Sequence, residues 1–302
     1  MAGARRGTNS GTIVLGQLTA MFDDKATTQY YRVTRSSAEM AQGAVIGESR
    51  WVLYVNDVEV VTFMATPRNL HHLALGFLVS ENMIARLDEI ASLRVYEAAD
   101  RAYWYIPALG VNETRAMAVC EENVGTIQAR LTRDDFRVPA HRVLTSGCGG
   151  GITFSDLSSK QTPLESARTV RAAQLFAMMN ALYAQGHLYR ATRGVHTSAL
   201  TDGEKILSLT EDVGRHNTLD KIRGECLLRG LETRDNILLS TGRISSEMIT
   251  KAAKMQVPIV ASRTSPTSLA LELARAWNIT LIGYLRAEEM RVYCGIERVI
   301  SN

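Results

Sequence analysis

Cysteine is scarce in this chain. Its 302 residues include four, Cys120, Cys148, Cys226 and Cys294, with no CxxC pair among them. That spacing argues against a disulfide framework and fits a reducing cytoplasm, and scattered cysteines leave a zinc site only to tertiary accident. Proline is also rare, at six, and no apolar stretch approaches the length of a bilayer span. The N-terminal run MAGARRGTNSGTIVLGQLTAMF is broken by Asn9, Ser10, Gly11 and Gln17, so no secretory signal is read there. Net charge is only +3, a mild basic balance far from that of a dedicated nucleic-acid binder. No GxxxxGK followed by Ser or Thr excludes a P-loop NTPase, and no GxGxxG opens a first helix, which weakens a dinucleotide dehydrogenase. HxE with PCxxC is missing, so the zinc deaminase site is absent, and GxSxG is missing too. The expectation is a soluble cytoplasmic protein without nucleic-acid or membrane partners.

Hydrophobic residues make up 46% of the chain, enough for a sizeable core in one large or two ordinary domains. Residues 1–45 are polar and irregular and are read as a flexible arm with the first strands. Trp51 to Met64, WVLYVNDVEVVTFM, predicts a β-hairpin turning at Asn56-Asp57. Thr66-Pro67 predicts a helix start, with Leu70, Leu73, Ala74, Phe77 and Leu78 at helical spacing. Residues 91–118 return to strand composition. The expected organisation is a smaller mixed α+β domain over 46–145, a glycine- and serine-rich loop over 146–163, and an α/β domain over 164–302.

That last region has a different rhythm. A helix is predicted over Thr169 to Gln185, ending at Gly186, and a hairpin from VHTSAL and KILSLT around Asp202-Gly203. A helix over His216 to Leu228 follows, with Asn217 and Asp220 read as its cap. NILLS, PIVAS and ITLIGYL then alternate with helices over Ser245 to Gln256 and Pro266 to Trp277. Such alternation predicts a parallel sheet in a layered α/β fold.

Ligands gather outside the carboxyl ends of parallel strands. Each of the three predicted strands is followed by an arginine: Arg243, Arg263 and Arg286. The first two stand just before helix N-termini rich in Ser and Thr, whose free N–H groups attract anions. Arginine grips phosphates through its planar fork. Together they predict a site for a phosphorylated or nucleotide-like ligand; the plainer alternative is solvated loop arginines or dimer contacts. EDVGRHN, Glu211 to Asn217, is the other dense polar cluster. It reads either as a wall of that site or as a strand-to-helix turn in which Asp212 pairs with Arg215. His196 reads as a satisfied core residue, and His71-His72 as partly solvent-facing.

Thr145 to Phe154, TSGCGGGITF, places Cys148 among four glycines. Glycine there leaves the sulfur unshielded, and a thiolate near arginines is reactive. The alternative is a small hydrophobe in a loop.

LALGFL at Leu73 to Leu78, GVH at Gly194 to His196, EDVGRHNTLDK at Glu211 to Lys221 and TGR-x-S-x-E-M at Thr241 to Met248 resemble the formate dehydrogenase accessory sulfurtransferases, the FdhD family. SPTSLALELA at Ser265 to Ala274 and the GYLR…VY ending do so too, so the resemblance runs from about residue 45 to the C-terminus. It implies a larger domain similar to cytidine deaminases without their zinc. It also implies a sulfurtransferase that takes persulfide sulfur from a cysteine desulfurase on Cys148. The sulfur goes to the molybdenum or tungsten bis(guanine dinucleotide) cofactor, which formate dehydrogenase needs in sulfurated form. The segment matching the family's cofactor-binding strand is Tyr284, Leu285, Arg286, Ala287, Glu288 and Glu289, with Arg243, Arg263, Arg215 and His216 expected around it. A homodimer is usual in the family. One departure is plain: the family loop reads CGxCG, and Gly151 stands where its second cysteine would be. A non-catalytic cofactor chaperone is the alternative, and a nucleotide-binding regulator a third reading.

Overall fold

The computed structural model describes residues 23–98, 101–106, 124–139, 143–144, 152–153 and 161–301. The first described elements are an antiparallel ribbon of β1 (Lys25–Val33) and β2 (Ala38–Ile46), in the region read as an arm with the first strands. β-branched and aromatic residues favour the extended form. Gly43 lies under the Tyr30 ring, where a Cβ would come within 2.8 Å.

A five-stranded sheet follows, in the order β4-β3-β7-β5-β6. Its members are β3 (Ser49–Val55), β4 (Val58–Ala65), β5 (Ile90–Ala98), β6 (Arg101–Ile106) and β7 (Val124–Leu131). The expected hairpin is β3–β4. Asn56 and Asp57 both take left-handed φ, 47° and 64°, the twist that a two-residue turn requires. Strict alternation points Trp51, Leu53 and Val55 into the core. Helix α1 (Leu70–Ser80) begins three residues later than Pro67. Asn69 is left-handed (φ 53°), and the Thr66 N–H and hydroxyl are bonded across the molecule to Asp212 and Val213, so the chain before Leu70 is held out of a helix.

Short strands β8 (Val143–Leu144) and β9 (Ile152–Thr153) pair antiparallel, and β10 (Val170–Arg171) later pairs with the C-terminal β17 (Val299–Ile300). Between them the chain runs α2 (Ala172–Gln185), α3 (His187–Thr192), β11 (His196–Thr201), β12 (Ile206–Asp212), α4 (Arg215–Arg229), β13 (Ile237–Ser240), α5 (Ser246–Lys254), β14 (Ile259–Ser262), α6 (Ser268–Ala276), β15 (Thr280–Arg286) and β16 (Glu289–Cys294). The second sheet has the order β12-β11-β13-β14-β15-β16. β13, β14 and β15 are parallel, as the alternation predicts, and the outer strands are antiparallel hairpins. Alternate side chains face opposite layers. Leu239, Ala261 and Ile282 meet Leu175, Met179 and Leu182 of α2. Leu238, Val260 and Leu281 meet Leu219, Met248 and Ala270 of α4, α5 and α6. The result is a helix–sheet–helix sandwich of the α/β class.

The two halves meet where α1 crosses α4. A Cβ on Gly76 would fall 1.7 Å from the Asp220 carbonyl oxygen, and one on Gly224 2.0 Å from that of His72. The helix backbones touch, and no side chain fits between them. Gly76→Ala and Gly224→Ala should each destabilise the protein by about 1–3 kcal/mol, the range for overpacking a closed site. Urea denaturation with both sheets followed together measures it, and a cost near zero for either would refute the crossing.

Candidate functional site

Three parallel strands deliver their carboxyl ends to one edge of the second sheet. The β13–α5 and β14–α6 loops run side by side there, tied by Ile244 N–H to Ser265 O (3.2 Å) and Thr267 N–H to Ile244 O (2.9 Å). Arg243, Arg263 and Arg286 all stand exposed on this edge. Arg286 Nε reaches the Arg263 carbonyl at 3.4 Å. Tyrosines interleave with the arginines. Arg263 lies 5.0 Å from the Tyr183 ring centre and Arg193 5.1 Å from that of Tyr189, while those two rings are 5.6 Å apart. Arg286 and Arg291 face the Tyr284 ring at 5.5 and 4.2 Å. The surface offers both cationic forks and aromatic faces, the chemistry that binds phosphates and stacks bases.

Tyr284 to Glu289 forms the β15–β16 corner. Tyr284 is half-buried, Leu285 lies in the core, and Arg286, Ala287, Glu288 and Glu289 are exposed. Strand pairing slips between Gly283 and Arg286, and Tyr284 and Ala287 have φ of 51° and 35°. Non-glycine residues there are strained, and such strain concentrates at functional sites. Tyr284 N–H donates to Thr264 O at 3.1 Å, locking the corner to the neighbouring arginine loop.

The EDVGRHN segment divides its labour. The Glu211 carboxylate accepts from the Leu188 and Tyr189 N–H groups and fixes α3. Asp212 pairs with Lys221 at 2.6 Å rather than with Arg215. Asn217 and Asp220 do not cap α4. Gly214 is its N-cap, and Asn217, inside the helix, donates to Met64 O and Asp212 Oδ1, both at 2.8 Å. Asp220 instead binds Lys251 at 2.6 and 2.8 Å. Only Arg215 and His216 turn toward the arginine edge. Both are buried, and a Cβ on Gly242 would lie 3.3 Å from Arg215 Cβ and 3.0 Å from His196 Nδ1.

His196, read as a core residue, is half-buried beside Arg215. Its pKa is lowered by burial and then by that guanidinium. Tyr183, Tyr189, Arg193 and Arg291 escaped the sequence reading, and Ser245 and Glu247 entered it only as letters of the TGR-x-S-x-E-M motif without a role, because these residues come from four separate segments that only folding gathers. Cys148 and Cys120 lie outside the described residues. Burial pushes the Cys226 thiol up to about 11 and raises that of Cys294, so neither forms a thiolate readily.

His71 and His72, expected to face partly into solvent, are half-buried where α1 meets α4, their rings 4.0 Å apart. Burial lowers His71 to about 2, His72 to about 4 and His216 to about 3. Below about pH 6.5 the unfolded chain therefore binds protons that the native state refuses, so stability falls with falling pH. Each buried imidazole should contribute a slope approaching roughly 1.4 kcal/mol per pH unit between about pH 6 and 4. Denaturation midpoints across that range should flatten measurably in His71→Gln; an unchanged slope would mean that His71 titrates normally.

The FdhD/NarQ family profile matches residues 46–300. Sulfur carrier protein FdhD of Staphylococcus aureus strain bovine RF122 / ET3-1 is 34% identical over 253 residues, covering 83% of this chain and 87% of that protein. The same protein of strain JH9 is 33% identical over the same shares. In three dimensions the chain is similar to the crystal structure of a formate dehydrogenase accessory protein from Desulfotalea psychrophila. The TM-score is 0.69 at 23% identity, over 92% of this chain and all of the other. On the profile match and the 34% identity, the chain belongs to the FdhD/NarQ family.

Proposed function

We propose that the chain is a sulfur carrier serving formate dehydrogenase. The observation that carries this reading is its 34% identity to proteins named for that sulfur-carrying role. In it, the Cys148 thiolate attacks the outer sulfur of a cysteine desulfurase persulfide. The desulfurase thiolate leaves, and Cys148 holds the persulfide. That sulfur then passes to the molybdenum or tungsten bis(guanine dinucleotide) cofactor, the substrate, for the formate dehydrogenase catalytic subunit. Converting sulfane sulfur to a sulfido ligand takes two electrons, from an external thiol or from the metal itself.

Two features support the assignment. Cys226 and Cys294 have raised pKa values, which leaves the carrier role to Cys120 or Cys148, and Cys148 matches the family's loop. Arg243, Arg263 and Arg286, with the Tyr284–Glu289 corner and Arg215, suit the phosphates and bases of a guanine dinucleotide. A cofactor chaperone without sulfur transfer is the second reading, favoured by Gly151 in place of the family's second cysteine. After incubation with a cysteine desulfurase and cysteine, peptide mass spectrometry should find one reductant-labile sulfur on Cys148. Cys148→Ala should abolish formate dehydrogenase activation in cells and leave guanine nucleotide binding intact. Activation surviving in that variant would favour the chaperone.

The reading includes a homodimer. The β1–β2 ribbon exposes Tyr31, Val33 and Met40 at 67, 72 and 61%, and an isolated two-stranded ribbon is marginal in water. Light scattering should find two chains per particle, and Tyr31→Glu with Met40→Glu should shift it toward one. A monomeric wild-type chain would remove the dimer from the reading. Among the described residues no helix is long and apolar enough to cross a membrane.

A further inference from the structure

His216 is the second residue of α4 and is only 8% exposed. Two groups reach its Nε2: Arg215 Nε at 3.2 Å and Ser245 Oγ at 3.0 Å. A guanidinium only donates, so Nε2 accepts and carries no proton. The proton of the neutral ring is then on Nδ1, which lies 3.1 Å from Glu247 Oε2. The partners of one ring nitrogen set the state of the other.

Ser245 is the N-cap residue of α5. A serine there ordinarily accepts a backbone N–H of its own helix. Ser245 makes no such bond, and its hydroxyl goes to His216 instead. Thr267, the N-cap of α6 on the same edge, does cap, accepting Ala270 N–H at 3.3 Å. A local rule given up for a buried imidazole marks a site where function outweighs stability.

We propose that His216 is a positioning residue. Its Nδ1-protonated imidazole, set beside the Glu247 carboxylate, fixes the Arg215 guanidinium and the Ser245 hydroxyl at the arginine edge for the anionic ligand. The role rests on the ligand reading above. The ring faces Arg215 from its own helix, Glu247 and Lys251 from α5, His196 from β11 and Arg243 from the β13–α5 loop. Burial first, and then the charge of Arg215, keeps the ring neutral. An imidazolium would set Nε2–H against the Arg215 donor and release it, while the Ser245 hydroxyl would turn from donor to acceptor.

Nitrogen-15 NMR of the imidazole should show the Nδ1–H tautomer unchanged from about pH 5 to 8. GDP is the calorimetric probe. His216→Gln keeps an oxygen acceptor where Nε2 stands and should bind GDP within about threefold of wild type. His216→Leu should lose roughly tenfold. An Nε2–H ring, or one titrating near its ordinary value, overturns the proposal whether or not the leucine variant folds. So does a glutamine variant as weak as the leucine one with wild-type melting. GDP binding equal in wild type and His216→Leu sinks this inference alone. A wild-type chain with the Nδ1–H tautomer and no GDP binding sinks the ligand reading and the positioning role with it.

Discussion

The fold turns on the Asp212 carboxylate, which is fully buried. Its Oδ2 accepts from Lys221 Nζ at 2.6 Å and Thr66 N–H at 3.2 Å, and its Oδ1 from Gly214 N–H and Asn217 Nδ2, each at 2.8 Å. Thr66 belongs to the first half of the chain, and the other donors to the second. Lys221 also donates to Thr66 O, Asn217 to Met64 O and Val213 N–H to the Thr66 hydroxyl, so the end of β4 is bound at four points. A buried charge is tolerable only when its hydrogen bonds are complete, and these are. Removing Lys221, the cationic donor, leaves an uncompensated carboxylate, which is why the arrangement specifies one seating of the halves.

The glycine crossing of α1 on α4 works in the same direction. The contact at Gly76 and Gly224 fixes the height of α4, and Asp212 fixes its first turn. Arg215 and His216 begin that turn, so their placement at the sheet edge follows from the junction between the halves. The Lys251–Asp220 pair then ties α5, the helix that carries Glu247 and follows Ser245, to the same α4. Site geometry and the seating of α1 on α4 thus share one buried polar network.

At the edge itself, parallel strands supply direction and the loops supply chemistry. Arg263 and Arg286 are held by neutral partners, the Arg263 carbonyl and the aromatic faces of Tyr183 and Tyr284. Cation–π contacts orient a guanidinium without cancelling its charge. The strained corner at Tyr284 and Ala287 turns Arg286 out of the sheet while Leu285 stays in the core.

Much of this was legible in the sequence. Asn56-Asp57 and Asp202-Gly203 announced their turns, and the alternation of strands and helices after residue 195 announced the parallel core, because these are local properties of backbone and side-chain period. Arginines placed directly after three strands could be assigned to one edge by topology alone. Cys148 and the family motifs are likewise properties of the string. The tertiary structure decided the rest. Asp212 chose Lys221 over Arg215, since only one turn of α4 brings that ammonium to the buried carboxylate. Asn217 became a strut to Met64 instead of a cap. Ser245, Glu247 and His216 became one unit, and Tyr183 and Tyr189 joined Arg263 and Arg193. Local pattern fixes which elements form; where α1 begins and which distant polar groups meet are set by the desolvation cost of leaving any of those groups unmatched.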